Sequence, residues 1–163
     1  MARPLESVAS VRVSLTVSDT RTEATDTSGR VIREVLTAAG HLVADAAIVK
    51  DEPADVIRAV SERLSRPDIQ AIITTGGTGL TSRDGTYEAI TGLLEKRLDG
   101  FGELFRMLSF KEIGPAAMLS RAVAGTARGK IVISLPGSEN AVRLACRELL
   151  VPELAHLVQQ VGK

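Results

Sequence analysis

A loop with three glycines follows an apolar, β-branched segment near the middle of the chain. The sequence runs Ile72-Ile73-Thr74-Thr75-Gly76-Gly77-Thr78-Gly79 and reaches a single carboxylate at Asp84. Glycine lets a backbone approach a ligand closely and turn successive N–H groups inward, and such concave backbones bind anions. The threonines of the loop would add hydroxyl donors. The loop therefore predicts a phosphate site, with a tight turn that binds nothing as the alternative.

A second carboxylate, Asp51, follows another predicted strand and should lie near Asp84 at the same edge of a sheet. Mg²⁺ prefers oxygen ligands and usually takes one or two carboxylates together with phosphate oxygens. The two aspartates therefore predict a magnesium site beside a bound polyphosphate. Each also has a structural explanation, since Asp51 suits the positive end of the next helix and Asp84 can cap the turn before Thr86.

Two familiar phosphate motifs are excluded by spacing. A Walker A loop ends in glycine, lysine and a hydroxyl residue, whereas Gly79 is followed by Leu80-Thr81-Ser82-Arg83. The dinucleotide fingerprint also fails, because the third glycine is missing after Gly77-Thr78-Gly79. We therefore do not expect a standard nicotinamide site.

For His41 and His156 we expect surface or packing roles rather than acid–base chemistry.

Four strands, with helices between them, must position these residues. Apolar, β-branched runs predict strands at residues 11–17, 42–49, 69–75 and 130–135. Helical spacing predicts one helix from Asp26 or Thr27 to Gly40 and another from Pro53 to Pro67. Strands that alternate with helices predict an α/β fold with a doubly wound, mostly parallel sheet flanked by helices.

The remaining segments are predicted to be mainly helical, and the chain is predicted to form one domain. Further helices are predicted at residues 86–98, 102–110, 115–123 and 139–161, the last interrupted at Pro152. Residues 1–10 are expected to form a flexible N-terminal extension, and residues 11–163 one domain.

Four predicted loops share the edge where the parallel strands end, and open sheets of this kind bind ligands there. These loops are residues 18–26, 50–53, 76–85 and 136–140. Their glycines, hydroxyls and aspartates favour a binding site over four unrelated turns.

Composition argues against nucleic acid and against membranes. Lysine plus arginine and aspartate plus glutamate both number 20, so the chain has no net positive charge to attract a phosphate backbone. Aromatic residues make up only 2% of the chain, which leaves few side chains for base stacking. No run approaches the roughly 20 apolar residues of a membrane span. The lone Cys146 cannot form an internal disulfide. We therefore expect a cytoplasmic protein that binds neither nucleic acid nor membrane.

Five short motifs occur along the chain in a definite order. They are Val17-Ser18-Asp19, Thr74 to Gly79 with Arg83-Asp84, Gly100-Phe101-Gly102-Glu103, Met118-Leu119-Ser120-Arg121, and Leu135-Pro136-Gly137-Ser138 with Asn140-Ala141-Val142. In this order they resemble the MoaB/MogA family of molybdenum cofactor biosynthesis, over residues 11–157. The stretches 105–114 and 120–125 look most like the MoaB branch.

The resemblance implies an activity and a set of site residues. It implies that the chain binds ATP and molybdopterin and adenylates the terminal phosphate of molybdopterin, with Mg²⁺ as cofactor and pyrophosphate as the second product. Asp51 and Asp84 match the family's two acidic residues needed for the transfer. The matches to its nucleotide- and pterin-binding residues are Ser18, Asp19, Thr75, Gly76, Gly77, Thr78, Gly79, Ser120, Arg121, Pro136, Gly137, Ser138 and Asn140.

The resemblance also implies an assembly. It implies a homotrimer or homohexamer and a partner protein for metal insertion. The apolar stripe through Phe101 and Phe105, together with the terminal helix, would then be buried between subunits.

One departure and two alternatives accompany the resemblance. Family members often have a side chain and then Thr-Pro-Glu-Ala where this chain has Gly85-Thr86-Tyr87-Glu88-Ala89, which is expected to loosen the turn after Asp84. One alternative is a pterin- or nucleotide-binding protein of the MoaB branch without catalysis. The other is an unrelated nucleotide-dependent transferase on the same scaffold.

Overall fold

The fold contains one six-stranded sheet. The structure is a computed structural model that describes residues 10–18 and 25–163, with the side chains of residues 14–18 left out. The strands are β1 (Arg12–Ser18), β2 (Leu42–Val49), β3 (Ala71–Thr75), β4 (Lys96–Arg97), β5 (Val123–Ala127) and β6 (Lys130–Leu135). The helices are α1 (Thr27–Ala38), α2 (Pro53–Leu64), α3 (Thr86–Leu93), α4 (Asp99–Ile113), α5 (Glu139–Ala145) and α6 (Val151–Val161). Residues 1–9 of the expected N-terminal extension and Asp19 lie outside the described residues.

The strand order is β2-β1-β3-β6-β5-β4. The first four strands are parallel, and β5 and β4 are added in antiparallel pairing. The predicted doubly wound, mostly parallel α/β fold is therefore confirmed. Val17 pairs with Thr75, and Thr75 pairs with Leu135, so the carboxyl ends of three neighbouring strands lie side by side. This register brings the loops that follow these strands to one edge.

Two strands were not predicted, and the helices predicted in their place are wrong. Helix α3 ends at Leu93, before β4, and the segment predicted as a helix at residues 115–123 is a 3₁₀ turn, Gly114–Leu119, that leads into β5. Gly125 explains the close pairing of β4 and β5, because a Cβ there would lie 2.3 Å from the Lys96 carbonyl oxygen. Alanine and glycine have low strand propensity, so the sequence of β5 gives little indication that it pairs as a strand.

The helices between the parallel strands begin and end close to the predicted residues. Asp26 caps α1 by accepting a hydrogen bond from the Gly29 N–H, and Gly40 follows the helix in the left-handed region at φ 92°. Helix α2 begins at Pro53 as predicted, and it ends at Leu64, ahead of Pro67.

The C-terminal helical stretch continues from Glu139 to Val161 without the predicted break at Pro152. Instead, a π-helical segment, Cys146–Leu150, joins α5 to α6 just before the proline. Proline has no N–H and its ring crowds the preceding turn, and the wider π turn accommodates both.

Apolar side chains cover both faces of the sheet. One cluster packs α1, α5 and α6 on one face, and it includes Phe101 and Phe105, which are 6% and 1% exposed. These two side chains need no second subunit to bury them, contrary to the prediction. A second cluster packs α2 and α3 on the other face. Among the described helices, none combines the length and apolarity that a membrane span needs.

Candidate functional site

The glycine-rich loop after β3 and the loop after β6 lie in contact at the predicted edge. The Gly76 N–H donates to the Leu135 carbonyl oxygen over 3.0 Å. A Cβ on Gly137 would lie 3.4 Å from the Gly76 Cα. The Ser28 hydroxyl in the first turn of α1 donates to the Gly137 carbonyl oxygen over 2.6 Å. Three of the predicted elements therefore meet, with Ser28 as a contact that the sequence did not reveal.

Gly76 and Gly77 give the loop a shape that other residues rarely adopt. Their φ values are 90° and 66°, in the left-handed region. Space is restricted as well, because a Cβ on Gly77 would lie 2.1 Å from the Thr86 hydroxyl oxygen and 2.6 Å from Asp51 Oδ1. The glycine thus lets the loop backbone lie directly against the Asp51 carboxylate.

Thr86 orients Asp51. The Thr86 hydroxyl donates to Asp51 Oδ1 over 3.1 Å, and the Thr86 N–H donates to the Gly77 carbonyl oxygen over 3.1 Å. Thr86 is fully buried at the start of α3. One residue therefore joins the carboxylate to the loop, although in the sequence it signalled only the beginning of a helix.

Asp84 folds back onto the loop that precedes it. Its Oδ2 accepts hydrogen bonds from the Thr81 hydroxyl over 2.6 Å and from the Thr81 N–H over 2.9 Å. The Thr81 hydroxyl is the main cause that lowers the pKa of Asp84, helped by the N–H groups of Thr81 and Gly79 and by the charge of Arg121. Asp84 thus acts as a turn cap and is also held ionised, the form that binds a cation.

The two carboxylates flank the glycine-rich loop. Asp51 lies against Gly77, and a Cβ on Gly79 would lie 2.7 Å from Asp84 Oδ2. The described residues contain no group of three or more His, Cys, Asp or Glu side chains that could hold a metal. Because Mg²⁺ in phosphate sites takes most of its ligands from phosphate and water, this pair fits an ion that arrives with a polyphosphate.

The remaining predicted site residues differ in how accessible they are. Thr75 and Thr78 are buried, at 1% and 4% exposure, whereas Ser138 and Asn140 lie exposed at the start of α5. Ser138 caps that helix by accepting from the Ala141 N–H over 3.2 Å. Ser18 lies at the end of β1, where its backbone pairs with Val49. The edge therefore combines buried threonines with exposed polar residues.

The Arg121 side chain lies at the site, and its described contacts are with protein atoms. Its Nε donates to the Thr78 carbonyl oxygen over 3.1 Å, and its Nη2 donates to the Gly79 carbonyl oxygen. Its Nη1 pairs with the Glu88 carboxylate. The Ser120 hydroxyl beside it accepts from the Ala122 N–H. A ligand contact for Ser120 or Arg121 stays a prediction.

Gly85, in the turn after Asp84, packs closely against the start of α2, and its loosening of this turn stays a prediction. A Cβ on Gly85 would lie 2.8 Å from Pro53 Cγ, which means that the glycine lets α3 approach the start of α2. Tyr87 packs under the Arg121 guanidinium, 4.5 Å from the ring centroid, and its hydroxyl accepts from Arg97 over 3.3 Å.

Comparisons with known proteins agree with this arrangement. Residues 13–156 match a family described as a probable molybdopterin binding domain. Molybdenum cofactor biosynthesis protein B of Bacillus anthracis is 52% identical over 150 residues, which are 91% of this chain and 89% of the relative. A crystal structure of molybdenum cofactor biosynthesis protein B is similar at a TM-score of 0.91 and 48% identity, and the match covers 96% of this chain and 98% of that one. The tungsten cofactor synthesizing protein MoaB from Pyrococcus furiosus has a TM-score of 0.83 and 38% identity, with 95% and 99% covered.

Proposed function

Because this chain belongs to the family of probable molybdopterin binding domains, as a relative of MoaB, we propose that it transfers the adenylyl group of ATP to molybdopterin. The family resemblance of the sequence motifs is confirmed, and the chain takes part in molybdenum cofactor biosynthesis. The adenylyl transfer is the step that we propose.

One observation carries the proposal: two carboxylates flank a glycine-rich loop at the ligand edge of the sheet. Asp51 is held against Gly77 by Thr86, and Asp84 is held ionised against Gly79. A phosphate held by this loop would lie near the two carboxylates that contact the loop at Gly77 and at Gly79. This arrangement suits chemistry that depends on positioning and on electrostatic stabilisation rather than on a covalent enzyme intermediate.

The proposed reaction exchanges one phosphate bond for another. An oxygen of the molybdopterin phosphate attacks the α-phosphorus of ATP, the bond from that phosphorus to the bridging oxygen breaks, and pyrophosphate leaves. The loop N–H groups of Gly77 and Thr78 are our candidates for phosphate binding, because those of Gly76 and Gly79 donate to Leu135 and Asp84.

Asp51 and Asp84 would hold Mg²⁺, which when bound neutralises charge on the phosphate oxygens. The protein's own part is to hold both carboxylates in place relative to the loop. Thr86 does so for Asp51, and Thr81 does so for Asp84. The exposed Ser138 and Asn140 border the same edge and would contact the substrates.

The test is a direct assay of the purified protein. It would be incubated with molybdopterin, ATP and Mg²⁺, and adenylated molybdopterin and pyrophosphate would be measured. We expect both products in equal amounts. Binding of either substrate without product would contradict the enzyme and support a binding protein without catalysis. Failure to bind any pterin would contradict molybdopterin as the substrate.

We also propose a homotrimer or homohexamer, which delivers its product to a metal-insertion protein. Support for assembly comes from a row of large apolar side chains on α4 and the following 3₁₀ turn, all between 48% and 75% exposed. They are Leu104, Met107, Phe110, Ile113, Met118 and Leu119.

A further inference from the structure

Arg121 lies between the 3₁₀ turn and β5, yet most of its contacts are with the glycine-rich loop and with α3. Its side chain is 23% exposed. Two carbonyl oxygens of the loop, those of Thr78 and Gly79, accept hydrogen bonds from its Nε and Nη2. A longer contact of 3.5 Å joins Nη2 to the Asp84 carbonyl oxygen. The guanidinium therefore contacts both the loop and the residue that ends it.

These bonds set the direction of two peptide groups. Every peptide bond in the described part of the chain is trans, and in a trans peptide the C=O and N–H point in opposite directions. Because the Thr78 carbonyl faces Arg121, the Gly79 N–H faces the other way, and there it helps to hold the Asp84 carboxylate. Arg121 thus acts on Asp84 through the backbone of Gly79.

Helix α3 holds the other side of the guanidinium. Glu88 pairs with Nη1, and the Tyr87 ring lies 4.5 Å from the guanidinium carbon. A guanidinium presents five donors in a rigid plane and can bridge two carbonyls and a carboxylate at once. A lysine has a single ammonium group and cannot reproduce this fork.

We propose that Arg121 is a positioning residue, which fixes the peptide groups of the glycine-rich loop and the Asp84 carboxylate in the geometry that binds the nucleotide. This role deepens the proposed function and rests on it in one respect, namely that the ligand of the loop is ATP. The assignment differs from the one that the sequence motif implied, because here Arg121 acts on the protein side of the loop.

Two measurements on the full chain test the role. The first is the affinity for ATP with Mg²⁺, measured by calorimetry well below the unfolding temperature. The second is amide hydrogen exchange of residues 76–85 in the protein without ligand. For Arg121→Gln we expect an affinity loss of about tenfold to a hundredfold. We also expect faster exchange in the loop, with unchanged exchange in β3 and β6. Arg121→Lys should fail to restore either property.

Matched variants separate positioning from other roles. Arg97→Gln removes the other arginine on Tyr87, which does not donate to the loop in the structure, and it should leave both properties near wild type. Tyr87→Leu keeps Arg121 but removes the ring beneath it, and it should give a weaker form of the Arg121→Gln result. If Arg121→Gln does not fold, Tyr87→Leu tests the positioning role instead.

The outcomes are distinguishable. Weaker ATP binding with unchanged loop exchange would mean that Arg121 contacts the ligand directly, which overturns the proposal. No change in either measurement also overturns it. If the wild-type protein does not bind ATP, the proposed function fails, whereas the exchange measurement still decides whether Arg121 orders the loop.

Discussion

Asp84 caps its own turn and also carries a negative charge beside the glycine-rich loop. It caps its own turn through Thr81, and the same hydrogen bonds lower the pKa of its carboxyl group. Because the folded pKa lies below the ordinary value of 3.8, its contribution to stability is complete above that value. The contribution is lost as the pH falls through the folded pKa. Near neutral pH the turn is therefore intact and its carboxylate carries a full charge.

We predict that Asp84→Asn strongly reduces adenylyl transfer while it preserves the fold. The amide oxygen of asparagine can still accept from Thr81, but the negative charge beside the loop is lost. The expected fall in product formation is on the order of a hundredfold. Asp55→Asn, which removes a partly exposed partner of Arg58 on α2, is the control and should retain activity. Wild-type rates in Asp84→Asn would rule out the metal-binding role.

His41 predicts a pH dependence that is separate from the site. It is buried, and its Nδ1 accepts from the Val11 N–H over 3.1 Å at the start of β1. Burial lowers the pKa of His41 below its ordinary value of 6.5. The unfolded chain therefore binds a proton more readily than the folded one, and stability should fall as the pH drops below 6.5 towards the folded pKa.

Unfolding temperatures measured at several pH values check this. Protonated Nδ1 cannot accept the Val11 hydrogen bond, so the wild-type unfolding temperature should fall between about pH 7 and pH 5. His41→Asn can accept the bond at any pH and should show a smaller fall. His156→Asn, at a partly exposed position beside Glu153, should behave like the wild type. An equal fall in all three proteins would place the titrating group elsewhere.

At the scale of elements, the sequence predicts the strands that have a strong local pattern of apolar residues. The parallel strands β1, β2, β3 and β6 carry alternating or nearly continuous apolar residues, and this pattern predicts all four. Strand β4 is two exposed residues, Lys96 and Arg97, and it exists because β5 lies beside it. Its pairing depends on the missing side chain of Gly125. Such a contact arises from packing between segments, and hydrophobic periodicity does not report it.

The same limit applies to the site. Asp51, Asp84 and the glycine-rich loop could be predicted because the topology of a parallel sheet places the ends of its strands together. The contacts with residues distant in the sequence that hold them could not be predicted. Thr86 lies 35 residues from Asp51, and Ser28 lies 109 residues from Gly137. Arg121 lies 43 residues from Thr78, so its role depended on three-dimensional packing.

Gly125→Ala should destabilise the edge of the sheet formed by β4 and β5. The added Cβ would meet the Lys96 carbonyl oxygen at 2.3 Å, so the strands must separate. We expect a loss of about 1–3 kcal/mol in the free energy of unfolding, measured with urea. Gly92→Ala is the matched control on α3, because a Cβ there would meet no atom within 4 Å. It should instead stabilise the protein by about 0.5–1 kcal/mol. The same sign for both changes would contradict the packing argument.

At the scale of the whole molecule, the exposed apolar row on α4 predicts the state of assembly. Phe110 is 57% exposed within this row, and large exposed apolar patches commonly mark protein interfaces. Phe110→Glu should reduce the mass from that of the proposed trimer or hexamer towards that of one 17.3 kDa chain, measured by light scattering. Ile57→Glu changes an exposed apolar residue on α2 and should leave the assembly intact. An unchanged mass in the Phe110 variant would place the interface on another surface.

The order of the strands also determines when a growing chain could first hold a ligand. Strands β5 and β6 are joined by the short turn of Arg128 and Gly129, at φ values of 50° and 76°, so the contacts within this hairpin are local in sequence. The ligand edge needs β1, β3 and β6 side by side, and these lie far apart in the sequence. Pairings of this kind close late in folding. During synthesis the glycine-rich loop therefore emerges well before the strand that supports Gly76, and the site should form only after residue 135 has left the ribosome.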